Sequence, residues 1–230
     1  MKTQEANLRL RDIARSIDVS AVCAQSTLGN VEAAVEAAKK YGFICVFAMP
    51  SFRHRAKAML DGRNDIGLGG IVGFPSGGDT SATKAFEASE LVDSGCAEID
   101  MVMNIGKLKS GLYGEVMADI KAVKERVAPL PLKVIIEVCL LDDNQITDAS
   151  KIVLDSGADY LKTGTGWAGA TNFGHLERIF SAVGDAIKVK VAGGVRDLDT
   201  LLKMRGMGVS RFGIGAGSAV KIMEEFESRH

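Results

Sequence analysis

The residue with the clearest chemical meaning in the sequence is Lys162, which ends a short apolar segment. A glycine-rich turn, Thr163-Gly164-Thr165-Gly166, follows it directly. Lysine is rarely buried unless it is paired or used in catalysis. A lysine that projects from a core strand beside such a turn can attack a carbonyl group and form a Schiff base. The pattern therefore predicts that Lys162 is a nucleophile.

Alternation along the neighbouring segments predicts which side chains share an interior with Lys162, because successive side chains of a strand point to opposite faces. In the segment from Glu98 to Met103, the apolar Ile99, Met101 and Met103 form one face, which leaves Asp100 on the other. In the later segments, the same alternation predicts that these residues face inward, with Lys188 one layer lower and nearer the solvated N-terminal end: Lys133, Ile135, Glu137, Cys139, Tyr160, Lys162, Lys188 and Lys190. Four consecutive strands thereby contribute Asp100, Glu137, Lys162 and Lys190 to one interior. A structural ion-pair network is the alternative to a catalytic group of charges.

These charges supply what a Schiff-base lysine needs. An ordinary lysine, with a pKa of about 10.4, is almost wholly protonated at neutral pH, whereas burial and a second cation lower that pKa. Lys190 lies on the strand after that of Lys162 and is predicted to be this second cation. Asp100 and Glu137 offer carboxylates that could move protons to and from a substrate. The set predicts an imine-forming lyase that makes or breaks a carbon–carbon bond.

Short apolar segments alternate with amphipathic ones along the chain, which predicts alternating strands and helices. The predicted strands are Ser16–Val19, Phe43–Ala48, Gly67–Gly73, Glu98–Met103, Lys133–Cys139, Tyr160–Thr163, Ile187–Val191 and Arg211–Ile214. The predicted helices are Val31–Lys40, Arg53–Leu60, Ser81–Asp93, Gly114–Val127, Asn144–Asp155, Phe173–Val183, Leu198–Arg205 and Ser218–Glu227. Eight such units predict an α/β fold, a single (β/α)8 TIM barrel forming one domain over residues 1–230. An open doubly wound sheet is the alternative.

Two glycine clusters follow the last two predicted strands, Gly193-Gly194 and the segment from Gly213 to Gly217. In such barrels, the loops after strands seven and eight often bind phosphate together with a helix N-terminus. Small residues let backbone N–H groups approach the anion closely. We predict a phosphate site here, and tight loop geometry is the alternative reading of the same glycines.

Composition argues against several other classes of protein. The 230 residues carry a net charge of −1 with no long run of either sign, so we expect no nucleic-acid or anionic-membrane surface. Residues 1–15 lack the apolar core of a signal peptide, and no apolar run reaches the roughly 18–20 residues of a membrane span. The three histidines, His54, His175 and His230, lack metal-ligand spacing, so no metal is predicted. The cysteines are predicted to be reduced thiols of a cytosolic protein: Cys23, Cys45, Cys96 and Cys139.

Six segments, in order along the chain, carry a family resemblance. They are Ile71-Val72-Gly73-Phe74-Pro75, Lys84-Ala85-Phe86-Glu87-Ala88, the segment from Glu98 to Gly106, the segment from Lys133 to Glu137, the segment from Leu161 to Gly166, and the segment from Lys190 to Arg196. Together they resemble deoxyribose-phosphate aldolase, a family of class I aldolases with a (β/α)8 barrel. The resemblance implies cleavage of 2-deoxy-D-ribose 5-phosphate to glyceraldehyde 3-phosphate and acetaldehyde, without a cofactor. It also implies a cytoplasmic homo-oligomer, either a dimer or a tetramer.

The resemblance further implies a role for individual residues. Lys162 would be the Schiff-base lysine, and Asp100 and Lys190 would be the pair that handles protons, with Lys190 also lowering the pKa of Lys162. The predicted substrate-binding residues are Thr163, Thr165, Gly193, Gly194, Gly215 and Ala216.

The chain departs from the family pattern near the predicted phosphate site. Gly164 and Ala192 stand where the family usually has serine, and Gly215-Ala216-Gly217 stands where it has a serine-containing turn. Each lost neutral hydrogen bond typically removes roughly 0.5–1.5 kcal/mol. An alternative function is therefore the same imine mechanism on a different, less phosphate-dependent aldol substrate. A third possibility is a non-catalytic barrel that binds a sugar phosphate and uses its inward charges structurally.

Overall fold

The computed structural model describes residues 9–229, and its sheet is a closed barrel whose eight strands follow one another in chain order. The predicted (β/α)8 TIM barrel is thereby confirmed. Residues 1–8 of the polar N-terminal segment and His230 lie outside the described residues. The strands are β1 (Ile17–Ala21), β2 (Cys45–Ala48), β3 (Gly67–Val72), β4 (Glu98–Val102), β5 (Leu132–Ile135), β6 (Tyr160–Lys162), β7 (Lys188–Ala192) and β8 (Arg211–Gly215).

Ten α-helices and two short 3-10 helices occur among residues 9–229. The α-helices are α1 (Leu10–Ala14), α2 (Leu28–Tyr41), α3 (Arg53–Met59), α4 (Ser81–Asp93), α5 (Ile105–Lys109), α6 (Tyr113–Val127), α7 (Asp143–Asp155), α8 (Phe173–Val183), α9 (Leu198–Gly206) and α10 (Ala216–Arg229); the 3-10 helices are Pro50–Phe52 and Val138–Leu140. The sequence pattern does not predict α1 and α5, because five residues are too few to show a helical repeat. No helix in this part of the chain is both long and apolar enough to cross a membrane.

The chain divides into two compact units. The first comprises residues 9–68 together with residues 195–229 and carries β1, β2, β8 and the first two residues of β3, whereas the second comprises residues 69–194 and carries the rest of β3 and β4 to β7. One domain over residues 1–230 therefore stays a prediction. Asp100, Lys162 and Lys190 all belong to the second unit, and Gly215 and Ala216 belong to the first.

In the first unit, β1 pairs in parallel with both β2 and β8. Asp18 on β1 is buried, and its Oδ1 accepts a hydrogen bond from Arg211 Nη1 of β8 at 2.5 Å. A buried charge is costly unless it is paired, so this contact fixes the two strands against each other.

In the second unit, a buried ion pair holds β4 from its helix-facing side. Lys84 Nζ of α4 lies 2.6 Å from Asp119 Oδ2 of α6 and donates to the Val102 carbonyl of β4 at 3.0 Å. Both side chains are almost completely buried. One lysine thereby joins two helices to the strand that carries Asp100.

The fifth strand ends earlier than predicted. β5 stops at Ile135, the backbone of Glu137 is left-handed with φ of 55°, and Val138–Leu140 forms a 3-10 helix. The predicted continuation of this strand to Cys139 is wrong, because a left-handed residue breaks both the extended backbone and the alternation of side chains.

Candidate active site

One carboxylate and three lysine amines meet inside the second unit. Asp100 is fully buried, and its Oδ2 accepts hydrogen bonds from Lys162 Nζ and Lys190 Nζ, each at 2.7 Å. Its Oδ1 accepts a hydrogen bond from Lys133 Nζ at 3.0 Å. The structure thus brings together the three residues predicted to be catalytic and adds Lys133. We call these four residues the lysine–aspartate cluster.

Strand register explains why these side chains meet. Asp100 on β4 lies opposite Lys133 on β5, and Lys162 on β6 lies opposite Lys190 on β7. Lys162 also lies opposite Ile135, two residues beyond Lys133, so the lysines of β5 and β6 share one face in successive layers. The long lysine side chains span these layers and converge on one short carboxylate.

The crowded charges shift the pKa values of the cluster. Burial alone would raise the pKa of Asp100, but the charges of the three lysines outweigh it and hold that pKa well below its usual range. Burial lowers the pKa of Lys162 to about 8; Asp100 opposes this shift, and Lys190 and Lys133 add to it. At pH 7, roughly a tenth of Lys162 is then neutral, compared with less than about a thousandth of an ordinary lysine.

Lys162 is also the most exposed member of the cluster. Its side chain keeps 8% of its surface exposed, whereas those of Asp100, Lys133 and Lys190 keep at most 1%. A small carbonyl compound can therefore reach the amine of Lys162 more readily than the other two amines. A partly neutral, reachable amine beside a carboxylate and further cations is suited to Schiff-base formation.

Lys133 is a residue that sequence reasoning places on the correct face but to which it gives no role. Besides Asp100, it contacts Glu98 Oε2 at 2.5 Å. Its charge lowers the pKa values of both Asp100 and Lys162. The alternation that predicts Lys162 and Lys190 also places Lys133 on their face, and its charge is a third cation beside Asp100.

Glu137 bonds to the loop after β6 instead of to a lysine of the cluster. Its Oε2 accepts from the Thr165 backbone N–H at 3.0 Å and from the Thr165 hydroxyl at 2.5 Å. The Thr165 hydroxyl oxygen in turn accepts from the backbone N–H of Trp167 at 3.0 Å. Glu137 therefore orders the loop that follows Lys162, which the strand alternation did not predict.

The other predicted substrate-binding threonine, Thr163, joins the ends of two strands. Its hydroxyl shares a hydrogen bond with the Thr171 hydroxyl at 2.7 Å and accepts one from the Ala192 backbone N–H at 3.2 Å. Both Thr163 and Thr165 are buried. Their hydroxyls thus have protein partners, and their contact with substrate stays a prediction.

The two predicted phosphate-binding glycines after β7 are packed tightly against the loop after β6. Gly193 and Gly194 have φ values of 87° and 92°. A Cβ at Gly193 would lie 2.7 Å from the Gly169 carbonyl oxygen, and one at Gly194 would lie 2.8 Å from Ala170 Cβ. Loop packing therefore requires glycine at both positions, and phosphate binding by their N–H groups stays a prediction.

In the first unit, β8 leads straight into a helix. Gly215 is the last residue of β8, and Ala216 is the first residue of the 14-residue α10. The first N–H groups of a helix have no partner within it and suit an anion. The part of Gly215 and Ala216 in binding phosphate likewise stays a prediction.

Comparison with known proteins decides the family. A model of the DeoC/LacD family of aldolases matches residues 6–217. The chain belongs to this family. It is 45% identical over 221 residues to a deoxyribose-phosphate aldolase of Sinorhizobium medicae (strain WSM419), a match that covers 96% of this chain and 89% of the relative. It is 40% identical over 219 residues to the deoxyribose-phosphate aldolase of Staphylococcus carnosus (strain TM300), covering 94% and 98%.

Solved structures place the chain among the same aldolases. An aldolase named QR15 superposes with a TM-score of 0.87 at 31% identity, covering 95% of this chain and 97% of that one. A deoxyribose phosphate aldolase from Aeropyrum pernix, described as having a unique tetrameric structure, gives a TM-score of 0.82 at 27% identity, covering 100% and 97%. The resemblance inferred from six sequence segments is therefore confirmed over nearly the whole chain.

Proposed function

We propose that this member of the DeoC/LacD family cleaves 2-deoxy-D-ribose 5-phosphate to D-glyceraldehyde 3-phosphate and acetaldehyde through a Schiff base on Lys162. The observation that carries the proposal is the contact of Lys162 and Lys190 with one oxygen of Asp100 inside a barrel of this family. The substrate is inferred from relatives that are named deoxyribose-phosphate aldolases and match most of this chain.

The cluster supports a complete sequence of proton and electron transfers. The neutral amine of Lys162 attacks the C1 aldehyde, and the adduct loses water to give an iminium ion. The C2–C3 bond then breaks as its electrons move toward the iminium, while the C3 hydroxyl loses its proton and becomes the aldehyde of glyceraldehyde 3-phosphate. The remaining enamine is protonated at C2, and water releases acetaldehyde and the free amine.

Asp100 and Lys190 are proposed to handle the protons of these steps. Asp100 stays ionised because its pKa is held low by the lysines around it. It accepts hydrogen bonds from both Lys162 and Lys190 at 2.7 Å. Protons can therefore pass among these three groups, or through water, within hydrogen-bonding distance of the reacting nitrogen.

The sugar phosphate is proposed to extend from Lys162 along the glycine-rich loops. The residues proposed to bind it are Thr163, Thr165, Gly193, Gly194, Gly215 and Ala216. Their contribution is chiefly backbone N–H groups, since small residues let an anion approach the main chain. We further propose a cytoplasmic homo-oligomer, in keeping with the tetrameric relative from Aeropyrum pernix.

The activity is tested by incubating the protein with 2-deoxy-D-ribose 5-phosphate and following both products by NMR. The expected result is equal release of acetaldehyde and glyceraldehyde 3-phosphate. If acetaldehyde can be trapped on the protein by borohydride but the sugar phosphate is neither trapped nor cleaved, the imine mechanism serves a different aldol substrate.

The pH dependence of imine formation tests the role of Lys190. The rate of borohydride trapping with acetaldehyde should rise with pH through about 8, because Lys162 reacts as the neutral amine. Burial is the main cause of the lowered pKa of Lys162, and Lys190→Met removes one of the two cations that add to it, so the rise should move to higher pH, part of the way toward the ordinary value of 10.5.

A matched control for that measurement is Lys188→Met, which removes an exposed lysine from the same strand. Its profile should coincide with that of the unaltered protein. An unchanged midpoint in Lys190→Met would show that Lys190 does not set the protonation of Lys162.

A further inference from the structure

Two aromatic rings meet at the C-terminal ends of the strands that carry the cluster. Phe74 follows β3, Trp167 follows β6, and their ring centroids lie 5.6 Å apart with the planes at 89°. β4 and β5, which carry Asp100 and Lys133, lie between β3 and β6 in the barrel order. Because the strands run parallel, the two loops leave the same end of the sheet. The aromatic contact therefore joins two loops at the end of the sheet to which the strands of the cluster lead.

A hydrogen bond anchors the backbone of Trp167, and much of the residue remains exposed. The Trp167 N–H donates to Thr165 Oγ1, whose hydroxyl donates to the buried Glu137 carboxylate. Trp167 nevertheless keeps 42% of its surface exposed. A large apolar ring presented to solvent from an anchored backbone is suited to contact a ligand.

The loop that carries Trp167 consists almost entirely of small, uncharged residues. Residues 163–172 contain no charged side chain, and their only large side chain is the indole. Lys162 ends β6 five residues before Trp167 and keeps only 8% of its side-chain surface exposed. A five-carbon sugar phosphate needs a wider approach to Lys162 Nζ than this, so side chains at this end of the sheet must move when substrate enters.

We propose that Phe74 and Trp167 form an aromatic gate over the lysine–aspartate cluster, and that the Trp167 indole binds the alkyl chain of aldehydes that add to the enamine on Lys162. The inference rests on the proposed imine mechanism and adds a determinant of acceptor specificity. The enamine carbon of bound acetaldehyde forms a bond to the acceptor carbonyl carbon, whose oxygen takes a proton. Water then releases the hydroxyaldehyde and restores the amine.

Acceptor competition tests the gate in the direction of carbon–carbon bond formation. With acetaldehyde saturating, kcat/KM is measured for butanal and for D-glyceraldehyde 3-phosphate. Trp167→Ala should lower the ratio of the two values, butanal over the phosphate, about tenfold, because the alkyl chain loses its apolar partner. Phe74→Ala should lower the same ratio by a smaller factor, since it removes only the support of the indole.

The matched control is Phe86→Ala, which removes an aromatic ring that is 71% exposed on α4 and should leave the ratio unchanged. An equal loss for both acceptors in Trp167→Ala would mean that the residue only orders its loop and would overturn the gate. If the unaltered protein neither cleaves deoxyribose 5-phosphate nor accepts D-glyceraldehyde 3-phosphate, but Trp167→Ala still lowers kcat/KM for butanal about tenfold, the gate is supported and the proposed substrate is contradicted.

Fluorescence gives an independent readout, because Trp167 is the single tryptophan of the chain. Butanal added to Lys162→Ala, which cannot form the imine, should shift the emission saturably, and Phe74→Ala in the same background should weaken that response. Emission that does not respond to butanal in Lys162→Ala would contradict binding at the indole.

Discussion

Replacing Lys162 with alanine is expected to lower the turnover of 2-deoxy-D-ribose 5-phosphate by at least about 10⁴-fold, the scale on which enzymes lose activity when a covalent nucleophile is removed. The fold should survive, because Asp100 keeps two of its three cations, Lys133 and Lys190. Thermal unfolding and circular dichroism should therefore match those of the unaltered protein while product formation disappears. The loss should appear in kcat, since the variant lacks the group that enters the chemical step.

The matched control is Lys188→Ala, a lysine replaced on the neighbouring strand with its side chain exposed. It should retain the turnover of the unaltered protein. Substantial turnover in Lys162→Ala would mean that another lysine carries the imine, and Lys190 would be the next residue to examine.

The second large effect concerns the carboxylate. Asp100→Asn should destabilise the protein by about 3–5 kcal/mol, since removing one partner of a buried ion pair leaves uncompensated charge. The amines of Lys133, Lys162 and Lys190 would then face one another without the charge of the carboxylate that all three contact. Denaturant unfolding measures the difference, and cleavage activity should fall as well because the acceptor for both catalytic amines is gone.

The control for Asp100→Asn is Asp79→Asn, the same change at an exposed position, which should stay within about 0.5 kcal/mol of the unaltered protein. The dependence of stability on acidic pH also distinguishes Asp100→Asn from Asp79→Asn. The pKa of Asp100 is depressed in the folded state, so its share of stability is present above about pH 4 and is lost as the pH falls toward the depressed value. Asp100→Asn should lack this part of the acid slope, and an unchanged stability would contradict the ionic role of Asp100.

Much of the architecture can be predicted from the sequence because strands and helices alternate with clear periods. The predicted helices Ser81–Asp93 and Phe173–Val183 agree with the structure residue for residue. The alternation of Glu98–Val102 and Lys188–Ala192 suffices to place Asp100 and Lys190 on the cluster's face. These segments are regular extended strands, so the alternation of residues along them shows directly which face of the sheet each side chain occupies.

The contacts of Glu137 and of the glycines after β7 depend on tertiary structure, which the alternation of residues along a strand does not reveal. Glu137 leaves the strand because of its left-handed backbone, and its carboxylate then meets Thr165, 28 residues away in sequence. From the sequence, Gly193 and Gly194 predict a phosphate site. Their lack of side chains is also explained by close contact with Gly169 and Ala170. Such close approaches between loops appear only when both loops are placed in three dimensions.

The contact of Phe74 with Trp167 belongs to the same class. The two residues lie 93 positions apart in the chain, in loops with no shared pattern, and nothing in either loop signals the other. The order of the strands in the barrel is enough to place both loops at the same end of the sheet. Whether the two rings touch depends on the directions of their side chains, which lie in irregular segments.

Trapping the imine and locating the modified lysine in the chain shows whether Lys162 is the nucleophile. The protein is incubated with acetaldehyde, reduced with borohydride, digested, and analysed by tandem mass spectrometry. The mechanism predicts an ethyl group on Lys162, with Lys133, Lys188 and Lys190 unmodified. An adduct on Lys190 or Lys133, or no adduct at Lys162, would contradict it.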